Sequence, residues 1–327
     1  MTTKSKSLAN AAPSSGKLKN FLLSNGFYFL CIAVIVVFTC LNSTFFTLSN
    51  LYNILMSASF MFATTAGVAV VIIAGNMDLS VGSTALLSAG VMYTAYTLEL
   101  PSILILVCGL VAGVLVGTLN GILISKLKFN SMVLTLGLQI GYRGIGLMLI
   151  GGTQVQLPDS FKAFGKISIF GGLYLVVIIC LVIMLILHLI LKRTRFGTYC
   201  YAIGCNEVAA KRVGIPIDKV KIATFMISGF CAALAGFVVV CRLGLAHSYI
   251  GKEMEFDAIE AAVIGGISLR GGKGNLFPGA LFGVLLIYII NNGLSIIGAS
   301  EYVYPFAQGI IVFVAMYLDA LKNFKNK

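Results

Sequence analysis

The chain has 327 residues, of which 59% are hydrophobic and only 10% are charged. A soluble domain has about a quarter charged residues, and a soluble globule of this size could not bury so much apolar surface without large exposed patches. The composition therefore indicates a protein whose solvent is the lipid bilayer. The formal net charge of +12 does not indicate a nucleic-acid partner, because the basic residues lie in short gaps between apolar runs.

The cysteines and histidines form no recognisable metal-binding pattern. Six of the 8 Cys lie within apolar runs, Cys200 and Cys205 lie in a basic loop, and there is no C-x-x-C pair. We therefore expect inert thiols, no metal and no cofactor. No Ser/His arrangement, paired Asp or His cluster suggests an intramembrane enzyme.

Apolar runs follow one another along the chain, and a run of about 20 residues can cross a bilayer. Residues 1–20 are predicted to be a cytoplasmic tail, followed by a transmembrane domain at 21–321 and a short cytoplasmic tail at 322–327. The fold class is all-α, with about ten spans. The candidate spans are 21–41, 51–74, 81–98, 101–124, 131–150, 171–191, 222–244, 256–268, 276–297 and 303–321. The eighth is short and carries Asp257 and Glu260, so a re-entrant or interfacial segment is an alternative.

The basic residues predict the orientation of these spans. With the N-terminus inside and the spans alternating, the outside loops hold only Lys162, Lys166 and Lys252, and nearly all other basic residues lie inside. This asymmetry predicts that both termini are cytoplasmic and that the number of spans is even. The outside loops are too short for a solute-capturing domain, so the chain either works with other proteins or is a self-contained carrier.

The most informative polar stretch is the basic loop at 192–221. Asn206 is a good N-cap, because its side chain can accept a hydrogen bond from an otherwise unpaired backbone N–H. Glu207 would lie at the positive start of a short helix, with Lys211 four residues later. Gly214 is placed for a left-handed C-cap. The pattern predicts a helix of about two turns between two spans.

This short helix has two interpretations. It is either a solvated connection, which any polytopic protein can have, or a docking helix that fits a groove on a cytoplasmic partner. In the second case the small residues Ala209 and Ala210 would allow close insertion.

Two glycine-rich elements, GNMDLSVGS at 75–83 and GGISLRGGKG at 265–274, fall on the cytoplasmic side of this topology. At an offset of 190 residues, Gly75 aligns with Gly265 and Gly82 with Gly272, which suggests a duplicated helix–break–helix unit. The breaks either line an inner gate or touch a partner, or they are tight turns between hairpin helices. The glycines of interest are Gly75, Gly82, Gly265, Gly266, Gly271 and Gly272.

The glycines around Lys273 do not form a phosphate-binding loop. Ile267 stands where the first glycine of such a loop is needed, and Gly274 stands where a Ser or Thr should follow the lysine. The chain therefore encodes no nucleotide site of this kind.

Several polar side chains fall within or beside the predicted spans. Intramembrane charges usually face a cavity or a partner, which makes Asp78 and Arg143 candidates for a gate or pathway. Asn291 and Asn292 could hydrogen-bond a polar solute or join helices to each other.

The loop and the glycine-rich elements together resemble a known family. Arg195-Phe-Gly197, Ala202-Ile-Gly204, Asn206-Glu-Val-Ala-Ala210 and Gly214-Ile are similar to the loop of ABC importer permeases of the ribose/xylose/galactose type. The elements 75–83 and 256–274, and Asn291-Asn-Gly-Leu before the final span, resemble the same family. Asn76 and Cys205 depart from the pattern, which has Gly at both positions.

The resemblance implies a sugar-importing permease of the bacterial inner membrane. The implied partners are a cytoplasmic ATPase subunit that engages the loop, an extracytoplasmic sugar-binding protein, and a second permease chain in a homodimer or heterodimer within membrane lipid. The alternative is an ion-coupled secondary transporter of a small polar solute, for which Asp78 and Glu260 would be the titratable candidates.

Overall fold

The computed structural model describes residues 26–169, 171–300 and 302–324, and the predicted N-terminal tail and residues 325–327 lie outside them. The described chain is predominantly helical, with four short strands. The elements are α1 (Gly26–Leu41), α2 (Leu48–Ile73), α3 (Val81–Thr97), α4 (Ser102–Lys126), α5 (Ser131–Leu149), β1 (Gln154–Gln156), α6 (Asp159–Gly165), β2 (Ser168–Ile169), β3 (Leu173–Tyr174), α7 (Leu175–Arg193), α8 (Arg195–Cys205), α9 (Glu207–Arg212), α10 (Ile217–Leu243), β4 (Leu245–His247), α11 (Met254–Ile264), a π-helical turn (Leu276–Ala280), α12 (Leu281–Ile296) and α13 (Val303–Phe324).

Six helical segments in the described chain are long and apolar enough to cross a membrane. They are α2, α4, α5, α7, α10, and the π-helical turn continued by α12, and they match the second, fourth, fifth, sixth, seventh and ninth predicted spans. This confirms a helical polytopic membrane protein. The count of about ten spans and the position of the termini remain predictions.

The eighth predicted span is not a full crossing helix. Helix α11 has 11 residues, which extend about 16 Å, roughly half of a hydrocarbon core of about 30 Å. Gly265 and Gly266 end it, and the chain then runs without regular structure to the π-helical turn. This length favours the alternative of a re-entrant or interfacial segment, which stays a prediction.

Helix α2 lies at the centre of the bundle. In its most apolar window 89% of residues are buried, against 17% in α5, so two helices of similar composition have opposite surroundings. Helices α10, α7 and α11 pack around α2. Helix α10 also packs closely on α4, where a Cβ atom on either Gly113 or Gly229 would overlap the carbonyl oxygen of the other. Such backbone contact is how small residues join helices in membranes.

Two small antiparallel sheets lie among the loops. Strand β1 pairs with β4 so that Val155 is opposite Ala246, and β2 pairs with β3. The first pairing connects the loop after α5 with the loop after α10. Both loops are extracytoplasmic in the predicted topology.

Candidate coupling and translocation site

The loop between α7 and α10 contains two short helices, one more than the sequence predicted. The Thr194 hydroxyl accepts a hydrogen bond from Gly197 N at 3.4 Å and begins α8, and Asn206 Oδ1 accepts from Ala209 N at 3.0 Å and begins α9. Gly214 has φ of +81° and follows the end of α9. The caps predicted at Asn206 and Gly214 are both confirmed, because their geometry depends only on neighbouring residues.

Glu207 does not form its ion pair with Lys211, the residue one helical turn later in α9. The Glu207 carboxylate accepts from Lys221 Nζ at 2.8 Å, although Lys211 lies one helical turn away. Lys221 is a buried residue in the first turns of α10, so the ion pair anchors α9 to that helix. Ala210 also faces inward and is buried, which leaves Ala209 on the exposed face.

Three glycine-containing segments meet at one point, which we call the glycine node: Gly75, Gly204 and Gly271–Gly272. A Cβ atom on Gly204 would overlap the Ile73 carbonyl oxygen and the Gly272 nitrogen, and one on Gly271 would lie 2.8 Å from the Gly75 Cα atom. The basic loop and both glycine-rich elements are therefore in backbone-to-backbone contact. Any side chain at these positions would force the segments apart.

Hydrogen bonds hold the glycine node together. Gly272 N donates to Ile73 O at 2.9 Å, and the Tyr201 hydroxyl donates to Gly274 O at 2.8 Å. The Cys205 thiol lies 3.6 Å from Gly272 O. Helix α8 thus contacts the end of α2 and the segment that follows α11. Arg195 is exposed at the start of α8, and Gly197 is buried against the end of α7.

Both glycine-rich elements end a helix with the same hydrogen-bonding motif. Gly75 N donates to Ile72 O and Asn76 N to Val71 O, while Gly266 N donates to Val263 O and Ile267 N to Ala262 O. Gly75 and Gly266 have φ of +78° and +85°, as the left-handed residue of this C-terminal motif requires. The equivalent residues are therefore Gly75 and Gly266, one position away from the predicted alignment with Gly265.

The remaining glycines of the two elements make close contacts rather than turns. A Cβ atom on Gly82, in the first turn of α3, would overlap Gly251 O. A Cβ atom on Gly265 would lie 2.5 Å from the Gly279 carbonyl carbon, so Gly265 lets α11 pack against the start of α12.

Asp78 is buried in the interruption between α2 and α3, with a relative exposure of 1%. Its Oδ1 accepts from Ser80 N at 3.0 Å and from Ser80 Oγ at 2.6 Å, and its Oδ2 accepts from Ser228 Oγ at 2.8 Å. Asn120 Nδ2 donates to the same Ser80 hydroxyl, and the Tyr142 hydroxyl donates to Asn120 Oδ1. The carboxylate thus organises buried backbone at the interruption and connects it to Ser228 of α10.

Asn291 and Asn292 have partners on neighbouring helices. Asn292 and Asn50 exchange two amide hydrogen bonds, at 2.8 and 3.0 Å, and Gln308 Nε2 donates to Asn291 Oδ1 at 3.2 Å. Of the two roles left open by the sequence, these contacts favour the joining of helices.

Helix α5 carries a polar ladder, which we define as Ser131, Thr135, Gln139 and Arg143. The four side chains are spaced four residues apart and so lie on one face. Ser131 Oγ and Thr135 Oγ1 accept from Met77 N and Leu79 N, both at 3.1 Å.

The upper part of the polar ladder contacts a second irregular segment. Gln139 Nε2 donates to Glu255 Oε1, and the Arg143 guanidinium donates to Ser248 O and Ile250 O, both at 3.3 Å. Sequence reasoning singled out Arg143 but not Glu255. The four-residue polar spacing inside an apolar run was the signal that could have found the whole ladder.

Comparison with known proteins agrees with this architecture. A family described as branched-chain amino acid transport system / permease component matches residues 50–316. The ribose import permease protein RbsC of Haemophilus influenzae is 33% identical over 94% of this chain and 96% of its own length. The corresponding protein of Bacillus subtilis is 35% identical over 90% and 91%, and the D-allose transport system permease protein AlsC of Escherichia coli is 33% identical over 98% of both chains. No solved structure matches the chain.

The family match covers most of the described chain, and the relatives align along nearly their full lengths. The resemblance to simple-sugar importer permeases is thereby confirmed, as is the multi-pass inner-membrane location. The chain belongs to the family of branched-chain amino acid transport system permease components, and within it to the permease subunits of bacterial ABC importers.

Proposed function

We propose that this permease imports a monosaccharide and is driven by a separate cytoplasmic ATPase subunit. Ribose and allose, the solutes in the names of its relatives, are uncharged and rich in hydroxyl groups. The proposal includes an extracytoplasmic sugar-binding protein that delivers the sugar and a second permease chain, identical or closely related. It also keeps about ten spans with both termini in the cytoplasm.

The glycine node is the observation that carries the coupling role. The exposed surface at α9 includes Val208 and, directly after the helix, Val213, with relative exposures of 63% and 77%. Basic residues lie between them. Such a surface suits the groove of a partner protein, since exposed apolar groups beside charges mark contact sites. A partner that moved α8 and α9 would also move both glycine-rich elements, because no side chain separates their backbones.

This arrangement gives a mechanism for coupling. ATP and the sugar-binding protein would each prefer a different state of the spans, and their binding would shift the population between those states. The interruption after α2 and the segment that follows the short α11 both belong to the node, so the loop can act on both glycine-rich elements at once.

The proposal is tested with Gly204→Ala in the transporter reconstituted with its ATPase and sugar-binding protein. We expect uptake of D-ribose or D-allose to fall at least tenfold while ATP hydrolysis continues, because a Cβ atom must displace Ile73 or Gly272. Gly309→Ala is the matched control, because a Cβ atom there meets open space. Equal uptake by the two variants would contradict the coupling role.

The energy source distinguishes an ATP-driven importer from the alternative, an ion-coupled secondary transporter. Import by the reconstituted complex should survive collapse of the H⁺ and Na⁺ gradients and should stop without ATP. Accumulation of D-ribose or D-allose by the purified chain alone, driven by an ion gradient, would overturn the proposed function.

A further inference from the structure

The segment between β4 and α11 descends deep into the bundle. Met254 Sδ lies 3.6 Å from Thr64 Oγ1 on the central helix α2. Thr64 is sixteen residues after the start of α2 and nine before its end, or about 24 and about 14 Å along the helix axis. The first turn of α11 is therefore close to the middle of the bilayer.

Helix α5 provides a second, independent measure of depth. Arg143, which holds the carbonyl groups of Ser248 and Ile250, lies about 18 Å from the start of α5 and about 9 Å from its end. Gln139, which holds Glu255, lies one turn deeper. Residues 248–255 thus run from the outer side of the membrane toward its middle.

Exposed polar and aromatic side chains occupy this segment. Tyr249 and Phe256 have relative exposures of 69% and 56%, and the side chains of Lys252 and Glu253 are 60% and 73% exposed. Lys252 Nζ lies 3.8 Å from Glu253 Oε1 and 5.7 Å from the centre of the Tyr249 ring. We call these four residues the vestibule surface.

The vestibule surface does not face lipid. Charged side chains at membrane depth face a water-filled cavity or a partner, and irregular backbone is tolerated there only against protein or water. Behind the surface, Glu255 is buried at 2% exposure, and its Oε2 has no hydrogen-bond partner in the described structure. Such an unpaired buried oxygen can accept a hydrogen bond from a water molecule or from a hydroxyl group that reaches it.

We propose that the vestibule surface lines a water-filled path from the outer side of the membrane to its middle and contacts the sugar during import. The Tyr249 and Phe256 rings offer apolar faces to the C–H groups of an uncharged polyhydroxylated solute. Lys252 and Glu253 offer donors and acceptors to its hydroxyl groups. This inference rests on the proposed function for the identity of the solute and on the geometry for the path.

Accessibility to a charged thiol reagent tests the path directly. Glu253→Cys and Leu115→Cys, compared in cells that express the full transporter, should react differently with a membrane-impermeant sulfonate reagent. Leu115 is the matched control because it is 63% exposed in the middle of the apolar helix α4. We expect Glu253→Cys to react at least tenfold faster, and saturating D-ribose or D-allose, whichever is imported, to slow that reaction severalfold.

The possible results separate cleanly. Slow labelling of both variants would overturn the path, and labelling that slows only when the sugar-binding protein docks would assign the surface to that protein instead. If the unmodified transporter imports no monosaccharide, the proposed function fails while the labelling still reports whether the path is water-filled.

Uptake kinetics test contact with the sugar. Tyr249→Ala should raise the half-saturating sugar concentration at least fivefold in the transporter reconstituted with its ATPase and sugar-binding protein, and Tyr249→Phe should raise it less because the ring remains. Tyr302→Ala, an aromatic change at a residue with 91% exposure, is the control for general loss of aromatic surface. A half-saturating concentration that is equal in Tyr249→Ala and Tyr302→Ala would overturn the contact.

Discussion

The two interruptions of the helical bundle are built in opposite ways. The inner interruption, residues 75–80, is closed by the glycine node, by Asp78 and by hydroxyl groups from α5 and α10. The outer interruption, residues 248–255, accepts hydrogen bonds from two side chains of α5 and carries three exposed polar or aromatic residues, with a fourth, Phe256, directly after it.

This difference indicates a division of labour. Backbone contact without side chains transmits displacement and leaves no room for a solute, which suits coupling to a motor. Exposed side chains at membrane depth suit contact with a solute, which needs water and replaceable hydrogen bonds. The following experiments are ordered by the size of the expected effect.

The sharpest test of the inner interruption is Asp78→Ala. The Ser80 N–H and the Ser228 hydroxyl would lose their acceptor inside the bundle, and each buried unsatisfied group costs about 1–3 kcal/mol. We expect a clear fall in the thermal unfolding midpoint of the purified permease in detergent. Ser228→Ala, which removes one of the three hydrogen bonds, should cause a smaller fall, and an equal fall would contradict the assigned network.

A second experiment disturbs the contact between the outer interruption and α3. In Gly82→Ala the added Cβ would overlap Gly251 O and lie 2.5 Å from Glu255 Oε2, and such overpacking typically costs about 1–3 kcal/mol. Gly141→Ala, where the Cβ meets open space, should leave stability unchanged or raise it. Thermal unfolding of the two variants in parallel measures the difference, and a stable Gly82→Ala protein would show that the outer interruption moves freely.

The proposed contact between the ATPase subunit and helices α8 and α9 is tested by labelling the native cysteines of α8. Cys205 is exposed, whereas burial raises the pKa of the Cys200 thiol to about 12, so at neutral pH Cys200 stays protonated and unreactive. We expect maleimide to modify Cys205 and not Cys200 in the isolated permease. Addition of the ATPase subunit should slow that modification several-fold, as measured by mass spectrometry, and an unchanged rate would place the partner elsewhere.

The smallest stability effect is expected for Glu207→Ala. Its partner Lys221 is buried but the Glu207 side chain is 47% exposed, and partly exposed ion pairs contribute about 0–1 kcal/mol. Sugar uptake should nevertheless fall, because α9 loses its anchor to α10 while ATP hydrolysis continues. Lys128→Ala is the control, since it removes an exposed ion pair with Asp218 of α10, at 3.3 Å, that lies outside the surface of α9. Its uptake should stay near that of the unmodified protein.

Local features of the site could be predicted from the sequence, and long-range ones could not. Asn206 and Gly214 were found because capping depends on residues within one turn. The partner of Glu207 was missed because Lys221 lies on another helix, and the glycine node was missed because it joins segments far apart in sequence. The family resemblance marked those glycines together but could not show that they touch.

The same limit explains the fold. Apolar runs predicted six confirmed crossing segments, but composition did not distinguish the buried α2 from the exposed α5, because lipid and protein interior favour similar residues. The acidic residues Asp257 and Glu260 indicated that the eighth span was abnormal. The sequence did not distinguish Glu255 from these two neighbouring acids, and only the structure places it against Gln139.

The repeat of the polar ladder limits how α5 can move. Successive members are separated by about 6 Å of helix rise and about 40° of rotation. If α5 moved by this amount along and about its axis, Thr135 would reach the backbone N–H that Ser131 now binds, and Gln139 would reach the one that Thr135 now binds. Intermediate positions would leave buried N–H and C=O groups unpaired. Helix α5 would then have a few discrete positions along its axis, about 6 Å apart, and no stable positions between them.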